Sequence, residues 1–401
     1  MAVPVPYPLP LRQDEVLAPP LERDFAELRS ISPLVRATFP FGGEGWIALG
    51  YKEVKAVLSD SRFSLAEAMR GDHPRIRITE GGPPFPPSFT QLDPPEHTKQ
   101  RGVLMKHLTV KRVRALRPAI EKIVGEQLDA IERKGPPADF ATDFAQDIPV
   151  RVLCHLLGVP ATERARFLAD ASPLANSRVV DVEEAARLFA SLTEYFGELV
   201  ARKRAHPTDD LLSALVHDTE LGGLWTTEEL HGVGVVLLIA GHDATAAILG
   251  GILRWLVHQP HTYASLRDEP EMIPKAFEEF VRFLPAGLAG TRSRIAMEDV
   301  TIGDVTIAAG EAVLPIVHAA NFDESEFAHA GELDLNRSAS PHVAFGHGAH
   351  SCVGSQLARV EIDVAVRATL QRFERLVAVD PDPEWRQQIL LRGPKSIPVT
   401  W

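Results

Sequence analysis

Apolar residues return at helical spacing over most of Glu96–Lys203 and Thr226–Phe283, and this pattern predicts a chain made mainly of helices. The longest continuous pattern begins at Thr226 and ends near Gln259. Thr226 and Glu229 form the signature of a capping box at its start. Because the middle of the pattern is apolar on nearly all sides, we expect one long helix that is buried at its centre.

Two regions carry strand patterns instead. The apolar stretch Gly45–Leu49 predicts a short strand at the edge of a small sheet, and a helix is predicted after it at about Tyr51–Leu58. A second β-rich region covers about Arg292–Val313, where the pair Gly303-Asp304 suits a hairpin turn. The chain is therefore expected to be mainly α with a small β region.

Composition narrows the class of protein. The 401 residues are 45% apolar and 24% charged, which is typical of a soluble globular protein. We find no internal repeat or clean boundary, and expect one domain over residues 1–401 with a proline-rich segment at 1–20. No segment approaches the roughly 20 apolar residues that span a bilayer, and Met1–Leu11 lacks the pattern of a signal peptide. A net charge of −12 argues against nucleic acid and anionic membranes as general partners.

The two cysteines lie in different contexts. Cys154 lies in an apolar run and is predicted to fill the core, and its separation from Cys352 argues against a disulfide framework. Such cysteine usage suits the reducing cytoplasm, where we expect the protein. Cys352 instead lies in a glycine-rich run directly before a helical pattern over Ser355–Phe373. A thiolate at a helix N-terminus is favoured by the helix dipole and by free backbone N–H groups.

The run Phe345-Gly346-His347-Gly348-Ala349-His350-Ser351-Cys352-Val353-Gly354 resembles the haem-ligand loop of the cytochrome P-450 family at every fixed position, and Leu357-Ala358-Arg359 continues the match. The resemblance implies a single-domain cytochrome P-450 fold in which a long distal helix lies over haem b. It implies that Cys352 is the iron ligand, and that the glycines let the backbone approach the flat haem. The loop residues it places at the cofactor are Phe345, Gly346, Gly348 and Gly354.

A second match lies inside the long helix, where the sequence resembles the family's oxygen-activating stretch, Ala-Gly-x-Asp/Glu-Thr. Asp243 fills the acid position, which implies that it supplies protons during oxygen activation. The family usually has threonine directly after the acid, where this chain has Ala244. Thr245 comes one residue later, about 100° further round the helix, and cannot simply replace the missing hydroxyl. The residues of this stretch are Ala240, Gly241, His242, Asp243, Ala244 and Thr245.

Three interpretations of Ala244 stay open. In the first, a hydroxyl of the substrate and ordered water replace the missing threonine, which indicates a specialised substrate. In the second, the enzyme carries out oxidative coupling, for which delivery of a hydroxyl to carbon is not the end point. In the third, water held by Asp243, His242 or Thr245 is sufficient.

A third match is the pair Glu279 and Arg282, three residues apart on one helix face, which resembles the family's structural Glu-x-x-Arg pair. The family often adds a second arginine shortly before the cysteine loop. Glu332 occupies that place here, and Arg337 is the candidate that could compensate for it.

Haem carries two propionates, so the resemblance also implies cationic donors. His97 and Arg101 match the family's His-x-x-x-Arg after Asp-Pro-Pro and lie four apart on one helix face. His350, two residues before the cysteine, matches a third donor, and Arg294 matches a fourth.

The family draws its substrate pocket from four segments, which are apolar in this chain and suit a hydrophobic or semi-polar small molecule. The candidate pocket residues are Phe85, Phe89, Val236, Leu237, Ala240, Leu284, Leu288, Ala289 and Leu390. Each of them alone could equally be a core residue.

Basic residues cluster between positions 106 and 117 of this otherwise acidic chain. The cluster consists of Lys106, Lys111, Arg112, Arg114 and Arg117. It is either an ordinary solvated helix face or a docking surface for an acidic ferredoxin that supplies electrons.

The resemblance covers essentially the whole chain. It implies a soluble, monomeric, bacterial-type monooxygenase that inserts one oxygen atom of O2 into a C–H bond of a small, largely apolar metabolite, as in antibiotic biosynthesis. Electrons would come from NAD(P)H through ferredoxin reductase and ferredoxin. The alternatives are oxidative coupling or ring formation on the same haem, peroxide-driven chemistry and a non-catalytic haem sensor. The retained Asp243 argues against the last two.

Overall fold

Helices make up most of the described chain. The computed structural model describes residues 7–8, 20–39, 42–70, 73–74, 88–165, 169–170, 182–218, 225–284, 292–337, 341–380 and 393–401. The helices are α1 Pro20–Ile31, α2 Tyr51–Ser59, α3 Leu65–Arg70, α4 Glu96–His107, α5 Val110–Ala115, α6 Arg117–Lys134, α7 Asp147–Leu157, α8 Val182–Ala205, α9 Leu211–Val216, α10 Thr227–Val257, α11 Pro260–Asp268, α12 Ile273–Phe283, α13 Val317–Asn321 and α14 Ser355–Arg372.

The strands form a small β region, as the sequence predicts. They are β1 Tyr7–Pro8, β2 Leu34–Thr38, β3 Glu44–Ala48, β4 Phe63–Ser64, β5 Ala138–Asp139, β6 Arg294–Ala296, β7 Val300–Ile302, β8 Val305–Ile307, β9 Ala312–Pro315, β10 Val377–Ala378 and β11 Pro398–Thr400. One sheet has the order β1-β2-β3-β9-β6-β4, and a second has the order β10-β11-β5. β7 and β8 pair as the predicted hairpin, and Gly303 at its turn has a φ of 59°, a conformation that suits glycine.

The long helix α10 begins where the sequence predicts. Thr226 caps it by accepting a hydrogen bond from the Glu229 N–H, and the Glu229 carboxylate accepts one from the Thr226 N–H. The helix ends at Val257. By length and hydropathy it would pass as a membrane span, contrary to the expectation of no such segment, but 72% of its most apolar window is buried inside the protein. That burial is typical of a core helix.

The segment that precedes the cysteine loop is tied to α12 by a buried ionic network. Arg282 is fully buried, and its guanidinium donates to both carboxylate oxygens of Glu279 at 2.7 and 2.8 Å. Arg337 also donates to both Glu279 oxygens, at 3.1 Å each, and to three backbone carbonyls. Arg337 therefore supplies the second arginine of this network. Glu332 contributes only its backbone carbonyl, to which both arginines donate.

We expect Arg337→Gln to lower the free energy of unfolding by about 2–3 kcal/mol. The variant removes charge-assisted hydrogen bonds to a buried carboxylate, each worth about 1.5–3 kcal/mol. The loss stays below the cost of isolating a buried charge, because Arg282 and the Asp334 N–H still bind Glu279. Denaturant unfolding of the haem-loaded protein measures the change. The matched control is Glu332→Ala, which should change stability by less than about 0.5 kcal/mol because only its carbonyl is used. Equal losses in both variants would contradict this account.

Candidate functional site

The cysteine loop is a tight turn held by its own backbone. The Gly346 N–H donates to the Val343 carbonyl at 2.8 Å, and the Cys352 N–H donates to the Phe345 carbonyl at 2.8 Å. Gly346 has a φ of 72°, which a residue with a Cβ rarely adopts. The loop leads directly into α14, which begins at Ser355. Sequence and turn geometry together place the Cys352 thiol just before a helix N-terminus.

Backbone N–H groups point at the Cys352 sulfur. The side chain is solvent-exposed on one side, yet the protein surrounds the sulfur elsewhere, and this burial raises the pKa of the thiol. The N–H groups of Gly354 and Ser355 hydrogen-bond to the sulfur. These bonds and the charge of Arg101 favour the thiolate and oppose the rise in pKa. The sulfur therefore lies in a setting that can stabilise a thiolate, which is the form that binds a metal.

Gly348, which the resemblance places at the cofactor, also packs closely against α2. A Cβ on Gly348 would lie 2.4 Å from the Leu58 carbonyl oxygen and 2.9 Å from the Ser59 Cα, at the end of α2. Its φ of 70° also requires glycine. This glycine therefore permits a close approach between the loop and α2.

Four predicted donors share one electrostatic environment. The His97 and His350 rings lie 4.1 Å apart between centroids. Burial, reinforced by the charges of His97 and Arg294, lowers the pKa of His350 to about 3. Burial also lowers the pKa of Arg294 to about 10. Arg101 donates to the Ser351 hydroxyl at 3.2 Å, next to the cysteine.

This donor set fits the propionates of a haem. His97 is 1% exposed, and within the described part of the chain neither of its ring nitrogens has a hydrogen-bond partner. The Nε2 atom of His350 lacks a partner there as well. Buried donors in proteins are almost always paired, so such atoms call for an acceptor. Asp93 is the nearby carboxylate, but it already accepts from Ser64 and from two N–H groups at the start of α3.

Sequence reasoning did not assign a role to Asp93. The structure places it among the predicted propionate donors, because its charge acts on His97, His350 and Arg294. Its position just before two prolines and α4 is the signal that could have identified it.

The middle of α10 presents a face of small residues. Ala240 is exposed although the helix around it is buried, and Gly241 and Ala244 are half-buried. These three positions lie on one side of the helix by their spacing. His242 and Asp243, by contrast, are buried, at 6% and 1% exposure. An open strip of small side chains within a core helix suits a flat ligand and a small molecule lying against it.

The Thr245 hydroxyl is engaged within its own helix. It donates to the Gly241 carbonyl at 2.9 Å, and the residue is 7% exposed. This back-bonding to the fourth preceding residue is common for threonine in helices. The arrangement agrees with the expectation that Thr245 does not simply replace the hydroxyl missing at Ala244.

The predicted pocket residues fall into two groups. Phe85, Leu288, Ala289 and Leu390 lie outside the described residues. Phe89 and Leu237 are buried in the main core, and Val236 is 8% exposed. Leu284 is half-buried and packs close to Gly251 of α10, where a Cβ would lie 3.1 Å from it. Val236 and Leu237 lie just before the small-residue strip in the sequence of α10.

The basic cluster is mostly a surface feature. Its first four members are exposed along α4 and α5, with the exposed, apolar Val110 between them. Arg117 differs, because it forms ion pairs with Asp363 of α14 and with Glu121. Cys154 is buried with no exposed surface, as predicted, and burial raises the pKa of its thiol to about 11.

Comparison with known proteins now identifies the family. The family model described as Cytochrome P450 matches residues 179–401. Nocardicin C N-oxygenase of Nocardia uniformis subsp. tsuyamanensis is 42% identical over 95% of this chain and 96% of its own. Mycinamicin IV hydroxylase/epoxidase of Micromonospora griseorubida is 38% identical over 94% of both chains.

A solved structure of the mixed-function P450 MycG superposes with a TM-score of 0.89 at 37% identity, covering 99% of this chain and 100% of that one. This likeness confirms the predicted fold class, and the named oxygenase and hydroxylase activities of the relatives confirm the predicted class of enzyme. The chain therefore belongs to the cytochrome P450 family and is a monooxygenase.

Proposed function

We propose that Cys352 binds the iron of haem b, and that the enzyme inserts one oxygen atom of O2 into a C–H bond of a small, largely apolar metabolite. The observation that carries this proposal is the Cys352 sulfur, which accepts hydrogen bonds from two backbone N–H groups at the start of α14. When bound, a haem with a thiolate ligand supplies the activation of dioxygen. His97, Arg101, Arg294 and His350 would hold its propionates.

The ligand assignment is tested by substituting each cysteine in turn. Cys352→Ala should abolish the red-shifted Soret band that a thiolate ligand gives to the ferrous carbon monoxide complex. Cys154→Ala is the matched control, because Cys154 is buried in α7, where its thiol interacts with Arg164. Its haem-loaded protein should keep the band. A Cys352→Ala protein that retains the thiolate-type spectrum would overturn the proposal.

Asp243 is proposed to hold and pass protons toward the substrate side of α10. It is buried beside the strip of small residues, where an acid is shielded from bulk solvent. Because the Thr245 hydroxyl already donates to Gly241, a hydroxyl that assists Asp243 would come from ordered water or from the substrate. This favours a substrate that carries a hydroxyl close to the oxidised carbon.

We expect Thr245→Val to change product formed per NAD(P)H consumed by less than about twofold, since the hydroxyl serves its own helix. Asp243→Asn should lower the rate of product formation by about a hundredfold, the usual size of a lost acid–base contribution.

Spectral titration of the ferric protein with hydroxylated ligands and their deoxy analogues measures which ligands displace water. Efficient oxidation of the deoxy analogues would contradict substrate assistance.

Oxidative coupling or ring formation without net oxygen insertion is the second candidate function. Ala244 favours it, because coupling does not require delivery of a hydroxyl to carbon. Product analysis under labelled dioxygen separates the two functions. Oxygen insertion places the label in the product, whereas coupling leaves the product unlabelled.

We also propose that electrons reach the enzyme from NAD(P)H through a ferredoxin that docks on Lys106, Lys111, Arg112 and Arg114. These exposed cations stand out from a chain with a net charge of −12 and suit an acidic partner. Arg117 is a weaker candidate, because Asp363 and Glu121 already neutralise it.

Arg112→Glu should raise the ferredoxin concentration needed for half-maximal turnover by about tenfold at low salt, and the difference should shrink as salt screens the charges. Steady-state turnover with purified ferredoxin and reductase measures it. Arg187→Glu is the matched control, an equal charge reversal at an exposed position on α8. Turnover that is insensitive to salt, or equal effects of both variants, would contradict docking at this cluster.

The remaining expectations stay proposals. The relatives named for nocardicin C and mycinamicin IV support a specialised metabolite as substrate, of the kind made in antibiotic biosynthesis. We also propose that residues 1–401 form one haem domain and that the enzyme acts as a monomer in the cytoplasm.

A further inference from the structure

Glu278, next to the buried Glu279 on α12, joins an arginine and a histidine near the cysteine loop. Arg359 of α14 donates to both of its carboxylate oxygens, Nε to one at 2.7 Å and an Nη to the other at 2.9 Å. His342 lies against the same carboxylate at 3.0 Å through Nε2. Burial would raise the pKa of Glu278, but the bonds from His342 and Arg359 outweigh it and lower the pKa to about 2. Glu278 is therefore an anion at neutral pH.

Both partners of Glu278 also contact the ring of Phe345. The Arg359 guanidinium carbon lies 4.6 Å from the ring centroid, a cation–π distance. The His342 and Phe277 rings approach the same ring at 5.9 and 6.4 Å between centroids. The Phe345 carbonyl in turn accepts the Cys352 N–H at 2.8 Å. A continuous path of contacts thus runs from the Glu278 carboxylate through Arg359 and Phe345 to the backbone of Cys352.

Arg359 also acts on the sulfur directly. Its positive charge is close enough to stabilise a Cys352 thiolate. The forked pair with Glu278 fixes where this charge lies and offsets part of it. A second bond, from Arg359 to the Ser355 carbonyl at 3.2 Å, anchors the guanidinium on the first turn of α14.

We propose that Glu278 and Arg359 are positioning residues for the Cys352 loop, and that their paired charges set the reduction potential of the iron held there. This inference rests on the proposed role of Cys352 as the iron ligand. Reduction adds one electron to the site, so a nearby positive charge favours the reduced form and a nearby negative charge opposes it. The two residues should therefore influence the potential in opposite directions.

The test compares three variants of the haem-loaded protein. Glu278→Gln leaves the Arg359 charge uncompensated and should shift the midpoint potential of the ferric–ferrous couple to a more positive value. Arg359→Gln leaves the Glu278 charge without its arginine partner and should shift the midpoint potential to a more negative value. The double variant Glu278→Gln/Arg359→Gln should lie between the two. A merely structural role predicts shifts of the same sign in both single variants, and that result would overturn the proposal.

Two further variants keep the result interpretable. Glu163→Gln is the matched control, because Glu163 also accepts a forked pair from an arginine, Arg202, and a bond from an aromatic residue, Tyr195. Its potential should equal that of the unmodified protein. If a Gln variant fails to bind haem, Arg359→Lys takes its place, since it keeps the charge and should hold the potential near the original value. A potential in Arg359→Lys well below that of the unmodified protein would overturn the role of charge.

Failure of the inference is distinguishable from failure of the proposed function. If Cys352→Ala keeps the thiolate-type carbon monoxide spectrum, the ligand assignment falls and the inference falls with it. If the unmodified protein gives that spectrum, Cys352→Ala loses it, and the Glu278 and Arg359 variants leave the potential unchanged, the inference alone is overturned.

Discussion

The buried guanidinium of Arg282 is the group on which the cysteine side of the molecule depends. An isolated charge with no exposed surface would cost several kcal/mol to bury. All five of its N–H donors have acceptors, two on Glu279 and one each on the carbonyls of Asn321, Ala330 and Glu332. Because those carbonyls belong to the end of α13 and the segment that follows it, Arg282 holds this part of the chain against α12.

From Arg282 a series of hydrogen bonds, linked through the chain, reaches the Cys352 backbone. The side-chain oxygen of Asn321, whose carbonyl binds Arg282, accepts the Val343 N–H at 2.8 Å. Val343 then accepts the Gly346 N–H, and the neighbouring Phe345 accepts the Cys352 N–H. A ligand site needs its donor atom held to within a fraction of an ångström, which flexible loops rarely achieve alone. Here the loop is held through Asn321 by the buried, fully hydrogen-bonded guanidinium of Arg282.

Local chemistry explains which features could be predicted from the sequence. The start of α10 depends on Thr226 and Glu229, three residues apart, and the sequence predicts it correctly, as it does the helix that follows the cysteine loop. The pairing of Arg337 with Glu279 cannot be predicted from local spacing, because Glu279 lies on a helix distant in sequence. The contact of Gly348 with Leu58 is likewise between segments far apart in sequence, so no local pattern predicts it. Side-chain direction, as in Thr245, depends on a rotamer that no spacing rule gives.

The distal helix must be buried to stabilise the fold and open to admit a substrate, and α10 meets both requirements within two turns. Val236 and Leu237 pack into the protein, while Ala240 is exposed. Asp243 then places an acid beside this opening, with Ala244 offering no hydroxyl and Thr245 donating its own to Gly241. If Asp243 passes protons as proposed, the assisting hydroxyl would come from water or from a group that the substrate brings. Only in the second case would the enzyme accept fewer substrates, since a molecule without that group would leave the site incomplete.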